Sequence, residues 1–191
     1  PNLLWNIRKL SNVRKSGLLS PDQVIHIFIP DLSVWEGVMK ILKGTEGGFG
    51  INFSLEPCVL DEGTIFTEND FMVRALHNSH LGSTRPANGW KSFSFRIEAG
   101  GKAVVYSGDV GSIDEIASLI DPCDLLLMET GHHRVEDVCN YLKNEKVQFG
   151  RLVFIHHGRA ILENKERELE KARNILGDRV IISEDGMEIE V

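Results

Sequence analysis

Leu3, Leu4, Ile7 and Leu10 recur at the spacing that places apolar side chains on one face of a helix, with Arg8, Lys9, Arg14 and Lys15 between or after them and Gly17 as a stop. The pattern predicts an amphipathic helix over residues 3–14 that needs a partner. Residues 24–29 (Val-Ile-His-Ile-Phe-Ile) form a β-branched run ended by Pro30, and residues 33–43 return to helical spacing with Ser33 as the expected cap. This is a strand followed by a helix. From 51 to 96 the chain reads mostly as strands, including 71–76 and 93–97, with a loop rich in Gly, Pro, Asn and Ser over 82–89. It then alternates: strand 103–107, helix 112–120, strand 124–129, helix 135–145, strand 151–155, helix 163–176 and short strands at 179–183 and 187–191. Such alternation predicts an α/β (α+β) fold with helices packed against a sheet. The densely charged run 163–173 is read as the solvated face of a helix whose apolar stripe is Leu169, Ala172, Ile175 and Leu176.

Composition narrows the classes. The 191 residues, 42% hydrophobic and 26% charged, suffice for one well-buried domain over 1–191, and neither a repeat nor a long linker divides them. A net charge of -7 disfavours a surface that coats nucleic acid. Cys58, Cys123 and Cys139 are odd in number and far apart, which argues against a disulfide framework or a Cys-rich zinc site and fits a reducing, cytoplasmic setting. No apolar run approaches a membrane span. The chain starts without Met, and its first residues already read as the inside of a helix, expected to pack on a further segment or on the second copy of a homodimer.

Six of the seven histidines fall in pairs, His77/His80, His132/His133 and His156/His157, each where a strand is predicted to end. A rigid strand aims a side chain there and the loop leaves it accessible. Any one pair is explained better as ordinary loop histidines. Three pairs with an acidic strand-end residue shift the balance. That residue is Asp109, in Tyr106-Ser107-Gly108-Asp109-Val110-Gly111-Ser112. Alone it reads as a helix cap or Asx turn; beside imidazoles it can bridge two cations, one oxygen to each.

The ordered segments Asn78-Ser79-His80-Leu81-Gly82, Ser92-Phe93-Ser94-Phe95-Arg96-Ile97, Tyr106-Ser107-Gly108-Asp109, Asp124-Leu125-Leu126-Leu127-Met128-Glu129-Thr130 and Leu152-Val153-Phe154-Ile155-His156-His157 together resemble the metallo-β-lactamase superfamily, in its ribonuclease-Z-like and phosphodiesterase-like branch. The resemblance implies the four-layer αββα fold, and a hydrolase of a phosphodiester using water activated by two divalent metal ions, zinc or else manganese or iron. It makes His80, Asp109 and His156 metal ligands, with His157 as the alternative to His156. His133, opening the helix after Glu129, would protonate the leaving oxygen, with His132 as its rival; the bland reading of either is a surface histidine at a helix start. Glu129 would orient a ligand imidazole or be a plain strand-end carboxylate. In the loop beside His80, Arg85, Trp90 and Lys91 could meet an anionic or aromatic part of a small phosphodiester or nucleotide-like substrate, or simply dress the loop.

The family's His-x-His-x-Asp-His motif, which supplies most ligands of both metals, is absent from the 191 residues. The chain is therefore expected to be the C-terminal part of such a domain, inactive alone, with Pro1-Asn2-Leu3-Leu4 resembling the continuation of the helix that follows the motif. Transfer RNA is disfavoured, because the long arm that grips it in ribonuclease Z would have to fit within residues 81–108. Two other classes compete: a non-catalytic domain that has lost its metal, separable by metal analysis, and thioester or redox chemistry on the same fold, separable by a substrate panel.

Overall fold

In the computed structural model, which describes residues 2–13, 22–45, 48–87 and 89–191, the first apolar stripe folds as helix α1 (Asn2–Val13) and buries Leu4. The expected stop at Gly17, with Arg14 and Lys15, lies outside the described residues. Strand β1 (Val24–Ile29) leads to helix α2 (Leu32–Gly44) and strand β2 (Ser54–Val59), which pairs in parallel with β1, Val24 opposite Ser54 and Ile29 opposite Val59. The cap of α2 is Asp31 and not Ser33: the Asp31 carboxylate accepts the Ser33 N–H at 2.9 Å. A carboxylate also suits the positive end of a helix better than a hydroxyl. These elements belong to a first compact unit, Pro1–Leu60; the second is Asp61–Val191.

The second unit is built on a sheet. Among the described residues its strands are β3 (Gly63–Glu68), β4 (Phe71–His77), β5 (Phe93–Ala99) and β6 (Lys102–Tyr106), then β7 (Cys123–Thr130) after the short helix α3 (Ala117–Ile120). Helix α4 (Val135–Asn144), β8 (Phe149–His157), α5 (Arg159–Glu163), α6 (Lys165–Leu176) and β9 (Val180–Ile182) complete it. The strands lie side by side in chain order, β3 to β9, antiparallel as far as β6 and parallel from β6 onward. Consequently β4, β6, β7 and β8 all point the same way. Their carboxyl ends share one edge of the sheet, and β5, running the other way, begins at that edge.

Parallel strands joined by helical crossovers are covered on both faces, which explains their nearly unbroken apolar runs. Leu126 and Met128 of β7, Leu152 and Phe154 of β8, and Ile182 of β9 are buried against Val138, Cys139 and Leu142 of α4 and Ala172 and Leu176 of α6. Burial pushes the thiols of Cys123 and Cys139 up to about 11 and about 12 respectively, so both stay protonated and unreactive in the fold. Three expectations need correction. Residues 112–120 hold a 3₁₀ turn (Ile113–Ile116) followed by α3, not one helix. The helix expected over 163–176 is broken at Asn164, whose side chain accepts the Arg167 N–H and so starts α6 afresh. Residues 187–191 alternate as a strand would, yet they pair with no described strand and follow a turn closed by a bond from Met187 N–H to Glu184 C=O.

Candidate metal centre

Each candidate donor follows the carboxyl end of a strand on the common edge: His80 after β4, Asp109 after β6, His132 after β7, and His156 at the end of β8. Loops at that edge of an open sheet converge, which is where ligands bind in folds with parallel strands. Single ligand atoms of His80, Asp109 and His132 all lie within 4.8 Å of one another. The two Asp109 oxygens divide between imidazoles, with Oδ2 3.8 Å from His80 Nε2 and Oδ1 2.6 Å from His156 Nδ1. The His132 ring sits between the other two, its centroid 4.6 Å from that of His80 and 6.0 Å from that of His156. Two or three imidazoles with a carboxylate are a donor set that fits a divalent cation such as zinc. The turn that follows is entered at Ser112, so Asp109 is not its cap.

Local geometry explains how the chain delivers these groups. Gly108 adopts φ +59°, and a Cβ there would lie 2.5 Å from the Phe93 carbonyl oxygen, so only glycine permits the turn that presents Asp109. His156 is the inserted residue of a bulge. The register passes from Ile155 opposite Glu129 to His157 opposite Thr130, and His156 is left over with φ +46°. A bulge re-aims the extra side chain, here toward Asp109. His157 resumes the strand and is held away from the cluster, its Nε2 2.9 Å from Ser183 C=O and its Nδ1 3.4 Å from the Thr130 hydroxyl.

The Glu129 carboxylate, 1% exposed, lies under the cluster. It accepts the His132 N–H at 2.9 Å and the Val110 N–H at 3.3 Å, and touches His132 Nδ1 at 2.9 Å. A buried carboxylate behind an imidazole fixes the ring and its tautomer. His133 also approaches the Glu129 carboxylate, its Nε2 3.5 Å from Oε1, but is held elsewhere. Its Nε2 is 2.9 Å from Val110 C=O, and its side chain is largely covered.

The loop after His80 is anchored by the residues considered for substrate. Arg85 pairs with Asp61 at 2.5 Å, and the Glu62 N–H, then this guanidinium, hold the Asp61 carboxyl below the ordinary carboxylate range. Trp90 stacks on His77 at 3.8 Å between ring centroids and 5° between planes. The Glu62 carboxylate lies 2.8 Å from His77 Nδ1, which makes no hydrogen bond among the described residues. One functional carboxylate has no signature in the sequence: Glu115, which accepts the Ser79 N–H at 2.6 Å and the Ser79 hydroxyl, and so clamps the residue before His80. It lies far along the chain in a stretch that reads as ordinary amphipathic helix, so only the fold reveals it.

Comparison with known proteins bears on the family and the fold. The sequence model of the β-lactamase superfamily domain matches residues 28–158. No curated protein matches the sequence. Among solved structures, the metallo-β-lactamase fold protein YhfI from Bacillus subtilis is similar with a TM-score of 0.64 at 16% identity, over 96% of this chain and 70% of that one. A diphosphatase of the PhnP family gives 0.63 at 17%, over 98% and 65%, and the short form of human tRNase Z gives 0.55 at 18%, over 98% and 73%. At such identities the likeness speaks for the fold. Taken with the family model, which spans more than half of the residues, it settles the classification: the chain belongs to the β-lactamase superfamily domain family and has the metallo-β-lactamase fold.

Proposed function

We propose that the protein is a metal-dependent hydrolase of a small phosphodiester or nucleotide-like substrate, with His80, Asp109 and His156 as the metal ligands of this chain. The observation that carries the reading is the convergence of these three residues and His132 on one sheet edge, above a buried carboxylate. Two cations, zinc or else manganese or iron, would supply Lewis-acid polarisation of a phosphoryl oxygen and a lowered pKa for water. The remaining work falls to the side chains. Asp109 offers one oxygen to each side of the site. Glu129 holds His132 through Nδ1, and the imidazolium form of that ring would carry at Nε2 the proton for a leaving oxygen, a task that suits an imidazole near neutral pH. His132 takes this role in preference to His133, whose Nε2 is committed to the Val110 carbonyl.

The described residues between His80 and Asp109 are taken up by the anchored loop, β5 and β6, which supports a small substrate over transfer RNA. The free cysteines fit a reducing compartment. Metal analysis and a panel of bis-p-nitrophenyl phosphate, cyclic nucleotides and thioesters test the proposal. The metal-loaded full-length protein should hydrolyse a phosphodiester, Asp109→Ala should lose the metal, and His132→Ala should lower kcat by about 10²-fold or more. A metal-loaded full-length protein that cleaves no phosphodiester, or metal retained in full by Asp109→Ala, overturns it.

A further inference from the structure

The β5–β6 ladder ends at Phe95 opposite Tyr106, yet the chain continues as a tightly held turn to Asp109. What replaces the ladder is a set of side chains. The Ser94 hydroxyl donates to Ser107 C=O, and the Ser92 hydroxyl to Asp109 C=O at 3.1 Å. Positions 92 and 94 share one side of an extended chain, so both hydroxyls reach the turn together. Between them the Phe93 carbonyl is packed against Gly108. The turn bearing Asp109 is thus sewn to the start of β5 at three successive residues.

The same hydroxyls lead to the other donors. Asn78 Nδ2 donates to Ser94 Oγ at 3.0 Å, while Asn78 Oδ1 accepts the His80 N–H at 3.2 Å and Asn78 N–H bonds Ser92 C=O at 3.1 Å. On the far side, Ser107 Oγ accepts the Glu129 N–H at 3.0 Å and donates to Gly108 C=O at 2.7 Å. Asn78 is 2% exposed, and Ser94 and Ser107 are fully buried. Buried polar groups are costly unless every one is paired, and a fully paired network has a single arrangement. Alanine would fill the space at 94 without that cost. Serine is there for what its hydroxyl joins.

We propose that Asn78, Ser92 and Ser94 are positioning residues that replace the missing β5–β6 ladder and lock the His80 loop, the Asp109 turn and the Glu129 strand end into one unit, fixing the spacing of the metal donors. The proposal rests on the metal-centre reading above. Its test uses the 191-residue chain, titrated with Co²⁺ and followed by visible absorption, with amide hydrogen exchange at His80, Val110 and Glu129 as a second readout that needs no metal.

Ser94→Ala should weaken Co²⁺ binding between about 10-fold and 100-fold, the range for residues that support ligands, and should speed exchange at both His80 and Glu129. Ser92→Ala should do so by about 10-fold, and Ser92→Thr, which keeps the hydroxyl, should restore binding and the absorption spectrum. Val73→Ala on β4 is the control for stability loss and should leave Co²⁺ affinity unchanged. Affinity in Ser94→Ala or Ser92→Ala that falls no further than in this control, or no rescue by threonine, overturns the proposal. Should Ser94→Ala not fold, the Ser92 pair decides. If the parent chain takes up no Co²⁺, the metal reading falls and exchange decides: coupled acceleration at His80 and Glu129 upholds the network, and acceleration confined to β5 refutes it.

Discussion

The two halves of the second unit's sheet hold their parts of the site by different means. In the parallel half, β6 to β8 enter the edge from a deeply buried apolar core that includes Leu126, Met128, Leu152 and Phe154; His132 and His156 stand at the ends of its strands, and the Asp109 turn is held by the Ser92 and Ser94 hydroxyls as well. In the antiparallel half, β3 and the start of β4 are largely exposed, and His80 is held by polar side chains, Asn78 from one side and Glu115 through Ser79 from the other. Packing is short-ranged and non-directional, so it fixes strands; hydrogen bonds are directional, so they fix loops. One site therefore has a hydrophobic foundation on one side and a polar one on the other.

The largest test of this contrast is a pair of truncations. Phe154→Ala, at a fully buried position of β8, should cost about 4 kcal/mol, the usual range for a phenylalanine removed from a packed core. Phe71→Ala, 39% exposed at the start of β4 and in edge contact with Phe66, should cost about 1 kcal/mol. Urea unfolding measures both. Similar losses would erase the distinction between the halves.

Next comes the point where the halves meet the site. Glu129→Ala leaves the amides of Val110 and His132 without their acceptor in a buried place, and should cost about 2 kcal/mol. It should also free the His132 ring and lower kcat more than it raises KM, since the loss is of proton delivery and not of substrate contact. Glu129→Gln keeps an acceptor and should recover most of the stability but not the rate. Recovery of both by glutamine would reduce Glu129 to a structural residue.

Much of this was legible in the sequence, and what was not has physical causes. His80, Asp109 and His156 stand out because a strand that ends on a polar residue is visible as a change of pattern. The choice between neighbours was not visible. His156 faces Asp109 in place of His157 because a bulge shifts the alternation by one, and no residue in Glu129-Thr130 or Ile155-His156 announces a bulge. His133 points at Val110 C=O, a contact 23 residues away in the chain that local pattern does not encode. Ser92 and Ser94 look like the solvent face of a strand, yet Ser94 is buried, because the partner it satisfies is a turn and not water. Residues 187–191 failed in the opposite direction: alternation alone does not make a strand when no edge receives it.

The bulge gives a smaller and sharper test, since it sets function against stability at one residue. A non-glycine residue at φ +46° carries backbone strain that glycine does not. His156→Gly should leave thermal stability unchanged or raise it by about 0.5 to 1 kcal/mol, while metal affinity falls with the lost ligand. His156→Ala keeps the strain and loses the ligand, so it should be the less stable of the two. If His156→Gly proves less stable than the parent chain, the Asp109 contact outweighs the strain, and the bulge is held by the site and not by the sheet.

The smallest effect lies at the opposite edge of the sheet, away from the donors. Asp124, at the start of β7, accepts the Ala103 N–H of β6 at 2.8 Å and pairs with Lys102; the first contact and then the second lower its carboxyl pKa. A carboxyl depressed in the fold contributes stability that is present above its unfolded pKa and is lost as pH falls through the folded one, so the contribution disappears below about pH 4. The group is open to solvent, which keeps the effect small. Asp124→Asn should therefore lower stability slightly at neutral pH, leave it unchanged in acid and so flatten the acid limb of the profile, with metal affinity and rate unaffected. A change in metal affinity instead would mean that the parallel half transmits strain from one edge of the sheet to the other, and the apolar foundation assigned to His132 and His156 would have to be given up.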